Sequence, residues 1–169
     1  MRATLFLLFF APITALAGWG DRDIEFDSEK PWVELQAQLP PYPKLDEAIS
    51  FAVSGPAEND FSIDPKSINV GKDDVVRYTL IVKSPEGSLN VTFEGISCRS
   101  KELKIYAFGR ADGNWSQNRH AKWSPIEHKA RNRHHHVLYQ DFFCPEGLVV
   151  KDVAEAIFAL KRGNHPRAR

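Results

Sequence analysis

Two periodicities divide the chain. Apolar positions alternate between Val75 and Gly109, and recur at helical spacing between Asp152 and Lys161. In Val75–Lys83, Val76, Tyr78, Leu80 and Val82 share one parity while Arg77, Thr79 and Lys83 take the other. That is the signature of a half-buried strand. Ser84-Pro85-Glu86-Gly87 follows as a turn, with Pro pre-setting the second position and Gly supplying the fourth. On the return strand Leu89, Val91 and Phe93 alternate with Asn90, Thr92 and Glu94, and Gly95 marks a candidate bulge. Leu103–Gly109 reads as a third strand, and Ala111-Asp112-Gly113-Asn114 turns the chain toward Trp115. This is an antiparallel meander. Upstream, Ile49–Val53 and Phe61–Ile63 are shorter strand candidates; His135–Phe143 fits a short helix as well as a strand. Val153, Ile157 and Leu160, with Ala154 and Phe158, form the apolar face of a C-terminal helix, and Gly163 stands at its cap. The fold class expected is α+β: an antiparallel β-meander sheet with a docked N-terminal arm and a C-terminal helix.

The N-terminal third has neither period. Residues 18–47 are acidic and broken by Pro31, Pro40, Pro41 and Pro43, with room for one short helix at Trp32–Gln38. An extended arm fits the stretch better, anchored by Trp32, Leu35, Leu39 and Tyr42. Before it, Met1-Arg2 leads into the apolar run Thr4–Phe10, and Ala15-Leu16-Ala17 precedes Gly18. This is the charge, apolar run and small-x-small order of a secretory signal peptide. The run is shorter than the about 20 residues that a spanning helix needs. The expected division is a signal peptide at 1–17 cleaved at Ala17-Gly18, the arm at 18–47, a single α+β domain at 48–162 and a frayed basic tail at 163–169. No transmembrane segment is expected in the mature chain, and its expected place is the periplasm.

Charge alters this picture in one respect. The 169 residues hold 22 Lys and Arg against 22 Asp and Glu, and loss of Arg2 leaves a net charge near −1, which argues against nucleic acid as a general partner. The signs are unevenly spread. Asp21–Asp64 contains eleven acids against Arg22, Lys30 and Lys44, whereas Gln117–His136 sets Arg119, Lys122, Lys129, Arg131 and Arg133 against Glu127 alone. Mutual compensation across one surface is the simpler reading, and a basic docking patch is the alternative. Cys98 and Cys144 are the only cysteines. An even pair in an oxidising compartment predicts a disulfide, and a loop of this length is stabilised by about 4 kcal/mol in the chain-entropy account.

A family resemblance emerges from an ordered run of motifs. They are Lys30-Pro31-Trp32, Leu39-Pro40 and Tyr42-Pro43; Phe61-Ser62-Ile63-Asp64 and Val75-Val76-Arg77-Tyr78-Thr79-Leu80; Asn90 with Glu94-Gly95-Ile96-Ser97-Cys98; Tyr106-Ala107-Phe108-Gly109-Arg110 and Trp115; and Leu138-Tyr139 with Asp141 to Cys144. The run resembles the cryptic neisserial protein-like family, a group of uncharacterised exported proteobacterial proteins, over most of the mature chain. The resemblance implies an exported Gram-negative protein with a paired cysteine. It supplies no reaction, cofactor or catalytic residue. The histidine triplet and the basic tail depart from the family pattern.

Candidate chemistry is sparse. His134, His135 and His136, with His120 and His128 nearby, offer imidazoles to a divalent metal. Consecutive histidines cannot converge from a regular strand or helix, however, and the neighbouring cations would repel an ion. There is no G-x-S-x-G elbow, and Asp73-Asp74, Glu94 and Asp141 show no glycosidase-like arrangement; an isolated acid in a strand usually faces solvent. Gly109-Arg110-Ala111-Asp112-Gly113 lies between strands and reads as a turn, not a phosphate loop. The strongest functional candidate is a recognition surface of Tyr106, Arg110, Trp115, Arg119 and Trp123, joined by Phe108, where aromatic faces and guanidinium groups would meet a protein partner, peptidoglycan or anionic head groups. The expected function is therefore an exported, non-catalytic binding or envelope-interaction module without a cofactor. The alternative is a divalent-metal-binding protein using the histidines at 120–136.

Overall fold

The computed structural model describes residues 31–54, 59–129 and 132–168. The signal-peptide expectation and the acidic stretch before Pro31 lie outside the described residues. Trp32 to Arg169 forms one compact unit.

The alternating segments form an antiparallel meander. β1 (Ile49–Phe51), β2 (Asp60–Val70), β3 (Val75–Lys83), β4 (Leu89–Ser97), β5 (Glu102–Gly109) and β6 (Trp115–Gln117) follow one another in space as in sequence, and β7 (Ser124–Pro125) pairs with β5. β3 and β4 pair without a slip from Val75 opposite Ser97 to Lys83 opposite Leu89. The expected turns form: between β3 and β4 the Gly87 N–H donates to the Ser84 carbonyl at 2.9 Å, and between β5 and β6 the Gly113 N–H donates to the Arg110 carbonyl at 3.0 Å. Both glycines have positive φ, 87° and 80°, which a residue with a Cβ rarely adopts. β2 is longer than the Phe61–Ile63 run suggested. It continues past Pro65 because Asp64 and Ser67 bridge an irregularity in its pairing with β3: the Ser67 hydroxyl donates to the Asp64 carbonyl and accepts from the Thr79 N–H, each at 2.7 Å.

One sheet face carries the helices. α1 (Arg133–Val137) runs into wider π-type turns at Leu138–Phe143, and α2 (Val153–Arg162) follows. This answers the ambiguity at 135–143 in favour of helix. Tyr78, Leu80 and Ile96 meet Leu138, Phe142, Phe143, Ala156, Ala159 and Leu160 in one buried cluster. α2 starts at Asp152, whose side chain accepts from the Glu155 N–H, and stops at Gly163 with φ 94°. Its buried stripe runs through Ala156, Ala159 and Leu160, while Ala154 and Phe158, expected on that face, point outward. The tail, expected to fray, is docked through His165. Its N–H donates to the Asp141 carbonyl at 2.6 Å, and its ring meets Glu155 at 3.0 Å.

β3 and β4 depart from the half-buried expectation: Arg77 and Thr79 are buried as completely as Tyr78 and Leu80. Their face is covered by the arm, residues 32–44, which is neither helix nor strand, so the short helix considered at Trp32–Gln38 is absent. The sheet is a middle layer, not an outer one.

Candidate functional site

The arm is held by polar groups. Asp73, just before β3, accepts the Leu35 N–H at 2.8 Å on one carboxylate oxygen, while its carbonyl accepts the Trp32 indole N–H at 2.8 Å. Arg77 closes the loop. Its guanidinium spans both Asp73 oxygens at 3.2 and 2.6 Å and donates to the Leu35 carbonyl at 2.8 Å. Burial pushes the Asp73 carboxyl up, but the Arg77 bonds and charge and the Leu35 N–H outweigh it and leave the group below its ordinary value. Glu34 makes the second clamp, accepting from Lys104 at 2.8 Å, the Tyr106 hydroxyl at 2.9 Å and the Trp123 indole at 3.1 Å. Here too burial raises the carboxyl, and Lys104, Tyr106 and Trp123 bring it below its ordinary value. Burial pushes the Tyr106 hydroxyl up. The Tyr106 ring lies over β4 because Gly95 has no side chain; a Cβ there would sit 2.8 Å from the ring.

The expected recognition residues thus fall into two groups. Tyr106, Trp115 and Trp123 grip the arm: Trp115 donates to the Pro40 carbonyl at 2.8 Å and packs on Tyr42, and Trp123 meets the Trp32 ring edge at 6.0 Å. Arg110 and Arg119 lie on the rim. They line a polar crevice of about 630 Å³ with Asp112, Asn114 and Trp115. Gln117 belongs both to this crevice and to a second of about 440 Å³, which lies between the arm residues Glu34–Ala37 and Leu39 and the residues Lys104, Tyr106, Asn118 and Ala121. A third, of about 560 Å³, opens on the arm's opposite side near Lys66–Asn69 and Arg77. Phe108 lies at a half-exposed edge. Of the four expected arm anchors, Tyr42 packs inward, but Leu35 and Leu39 expose their side chains and Trp32 is 39% exposed.

A charged cluster sits under the helices. The expectation that Thr92 and Glu94 form the solvent side of β4 fails: they face the helical layer, and Glu94 is 2% exposed. Its carboxylate accepts from Thr92 at 2.7 Å and Tyr78 at 2.9 Å and lies 3.0 Å from His135 Nε2. Burial raises Glu94, but His135, Thr92 and Tyr78 override it, so the carboxyl sits below its ordinary value. These groups have the chemistry of a proton-transfer site, yet all four are buried, so the network supports the core.

The histidines take separate partners, although the His134 and His135 rings lie 4.0 Å apart. His134 stacks on Phe61 at 4.9 Å, His135 turns to Glu94, and His136 meets His128 edge-on at 4.6 Å. The His120 N–H donates to Asn118. Among the described residues, no group of three or more His, Cys, Asp or Glu side chains is placed to hold a metal ion. The metal-binding alternative is therefore not supported. Cys98 and Cys144 are joined, with Cα atoms 5.4 Å apart.

Sequence reasoning missed Glu34, Asp73 and Arg77 as clamps. The available signal was Arg77 on a strand parity that otherwise reads as solvent-facing, together with an upstream stretch rich in Trp, Leu and Tyr that needed a surface to cover.

The model of the CNP1-like family matches residues 27–161. Cryptic neisserial protein 1 of Neisseria gonorrhoeae is 26% identical over 189 aligned residues, covering 95% of this chain and 92% of that protein. No solved structure matches. Among the described residues no helix is long and apolar enough to cross a membrane.

Proposed function

The chain belongs to the CNP1-like family, and from that premise we propose that it is an exported, non-catalytic binding module that engages a protein of the periplasm through the arm-covered face of its sheet. The observation that carries this reading is the pair of open crevices meeting at Gln117, one walled by the arm and the other rimmed by Arg110 and Arg119. This arm buries its polar contacts and leaves Val33 73% and Leu35 48% exposed. The Cys98–Cys144 bridge supports an oxidising compartment, and the signal-peptide pattern at 1–17 supports export.

Site-specific photo-crosslinking in cells tests the reading, with the probe at Lys122 and then at Lys129. A discrete cross-linked band, identified by mass spectrometry as an envelope protein, supports it. Uncrosslinked protein alone at both positions overturns it.

A further inference from the structure

The 440 Å³ crevice has an unusual wall. Between Val33 and Leu39, Leu35 is the residue whose main-chain groups are bonded, its N–H to Asp73 and its C=O to Arg77. The main-chain groups of Gln36, Ala37, Gln38 and Leu39 make no hydrogen bond to another described residue. Four consecutive residues whose donors and acceptors are unbonded among the described residues, beside a crevice, form a template for another chain. The opposite wall begins at Gln117, the last residue of β6, which pairs with β5 alone.

The side chains narrow the occupant. Leu35 and Leu39 line the crevice and are half exposed, so apolar side chains can pack there. The floor charge is already matched, because Lys104 is paired with Glu34. Arg119 and Lys122, on either side of the crevice-lining Ala121, are exposed and form no ion pair among the described residues. Arg119 lines the neighbouring crevice that shares Gln117, so the unmatched charge at that end is positive.

We propose that the crevice between the arm and the β6–Ala121 segment takes an extended segment of a partner protein as an added strand. Main-chain bonds run to Gln36–Leu39, apolar side chains pack on Leu35 and Leu39, and an acidic side chain lies toward Arg119 and Lys122. Recognition of this kind draws affinity from main-chain hydrogen bonds and specificity from alternate side chains. A volume of about 440 Å³ is of the order found for pre-formed ligand sites, about 300–1,000 Å³. The proposal rests on the binding-module reading and adds the partner's conformation and charge.

The test is selection from a phage-displayed library of random peptides of about nine residues on the full chain, followed by anisotropy titration of labelled synthetic peptides. The expected result is a consensus alternating apolar residues with at least one acid. N-methylation of alternate amides should weaken its binding about tenfold or more, since it deletes main-chain donors. Arg119→Glu with Lys122→Glu should weaken the acidic peptide about tenfold and improve its lysine-substituted counterpart. Several outcomes overturn strand addition: no enriched peptide, a consensus indifferent to N-methylation, preference for a neutral oligosaccharide, or a stable dimer that buries the crevice. A Lys122 cross-link without enriched peptides leaves the binding-module reading standing and removes strand addition. Enriched peptides without any cross-link leave strand addition standing and remove only an envelope protein seated beside Lys122 and Lys129.

Discussion

The Glu34 carboxylate and the Tyr106 hydroxyl meet at 2.9 Å across 72 positions of sequence, and that contact decides how the arm is held. Lys104 and Trp123 converge on the same carboxylate, so Glu34 is a hub and not a surface acid. Glu34→Ala should leave all three donors unmatched and cost about 2 kcal/mol, because bonds to a charged acceptor exceed neutral ones. Limited proteolysis should show faster cleavage within residues 32–44 while the disulfide-linked core survives. An unchanged cleavage pattern would mean that Asp73 and Arg77 hold the arm without Glu34.

Glu94 should be among the costliest polar positions to change. Glu94→Leu strands the hydroxyls of Tyr78 and Thr92 and the ring of His135 in the interior, and breaking such a buried set costs about 3–5 kcal/mol. Adding His135→Leu and Tyr78→Phe should recover part of the loss, since the combined change leaves fewer unmatched groups. Urea denaturation of the single and triple variants reads both outcomes. A triple variant less stable than the single one would contradict this account.

His134 gives the fold a defined sensitivity to acid. Burial against Phe61, with a smaller effect from His135, lowers its pKa from 6.5 to about 4. The unfolded chain therefore takes up the proton first. Stability is full above pH 6.5 and falls as pH drops toward 4, by about 2 kcal/mol once partial exposure is discounted. Glu94 acts in the same direction but lower, because a depressed carboxyl loses its contribution only as pH falls through its folded value. His134→Phe should flatten the stability profile between pH 6.5 and 4 and leave the steeper acid limb in place. Equal slopes in the two proteins would remove His134 as the cause.

The meander, its turns and the disulfide were readable because each rests on local chemistry: alternation, positive-φ glycines and an even cysteine pair. What β3 and β4 face was not. Arg77 and Thr79 occupy the parity that alternation assigns to solvent, yet both are buried, Arg77 beneath the arm at Leu35 and Thr79 beside Ser67 of β2. The same ambiguity misplaced Glu94, since Thr92 and Glu94 look like an exposed row until Tyr78 and His135 are seen opposite. Tyr106, Trp115 and Trp123 were recognisable as a group, and their joint use on the arm depends on contacts with Glu34 and Pro40, 72 to 89 positions away, which no local pattern encodes.

Thr79 tests whether this buried row is optimised. Its hydroxyl is buried with no partner among the described residues, although its N–H is bonded to Ser67. Thr79→Val keeps the shape and the strand preference and removes an unmatched group. Stability should rise by about 1 kcal/mol, seen as a higher urea midpoint with an unchanged slope. A loss would show that the hydroxyl has a partner in solution.

The Cys98–Cys144 bridge joins the end of β4 to the segment after the π-type turns, 46 positions apart. Both residues are buried, at 3% and 1% exposure, so the bridge lies in the same layer as Phe143 and Tyr78 and not at a redox-accessible surface. In folded protein neither cysteine should react with an alkylating reagent. Reductant should act only under conditions that open the helical layer, because attack requires access to a sulfur. Replacing both residues with Ala should lower stability by about 4 kcal/mol, as expected for a loop of this length. The loss should fall on unfolding as a whole, since the bridge ties the sheet to the helices that cover it. Mass spectrometry after alkylation, with and without reductant, reads the first outcome and urea denaturation the second. Free thiols in protein recovered from the envelope would remove both the bridge and its support for an oxidising compartment.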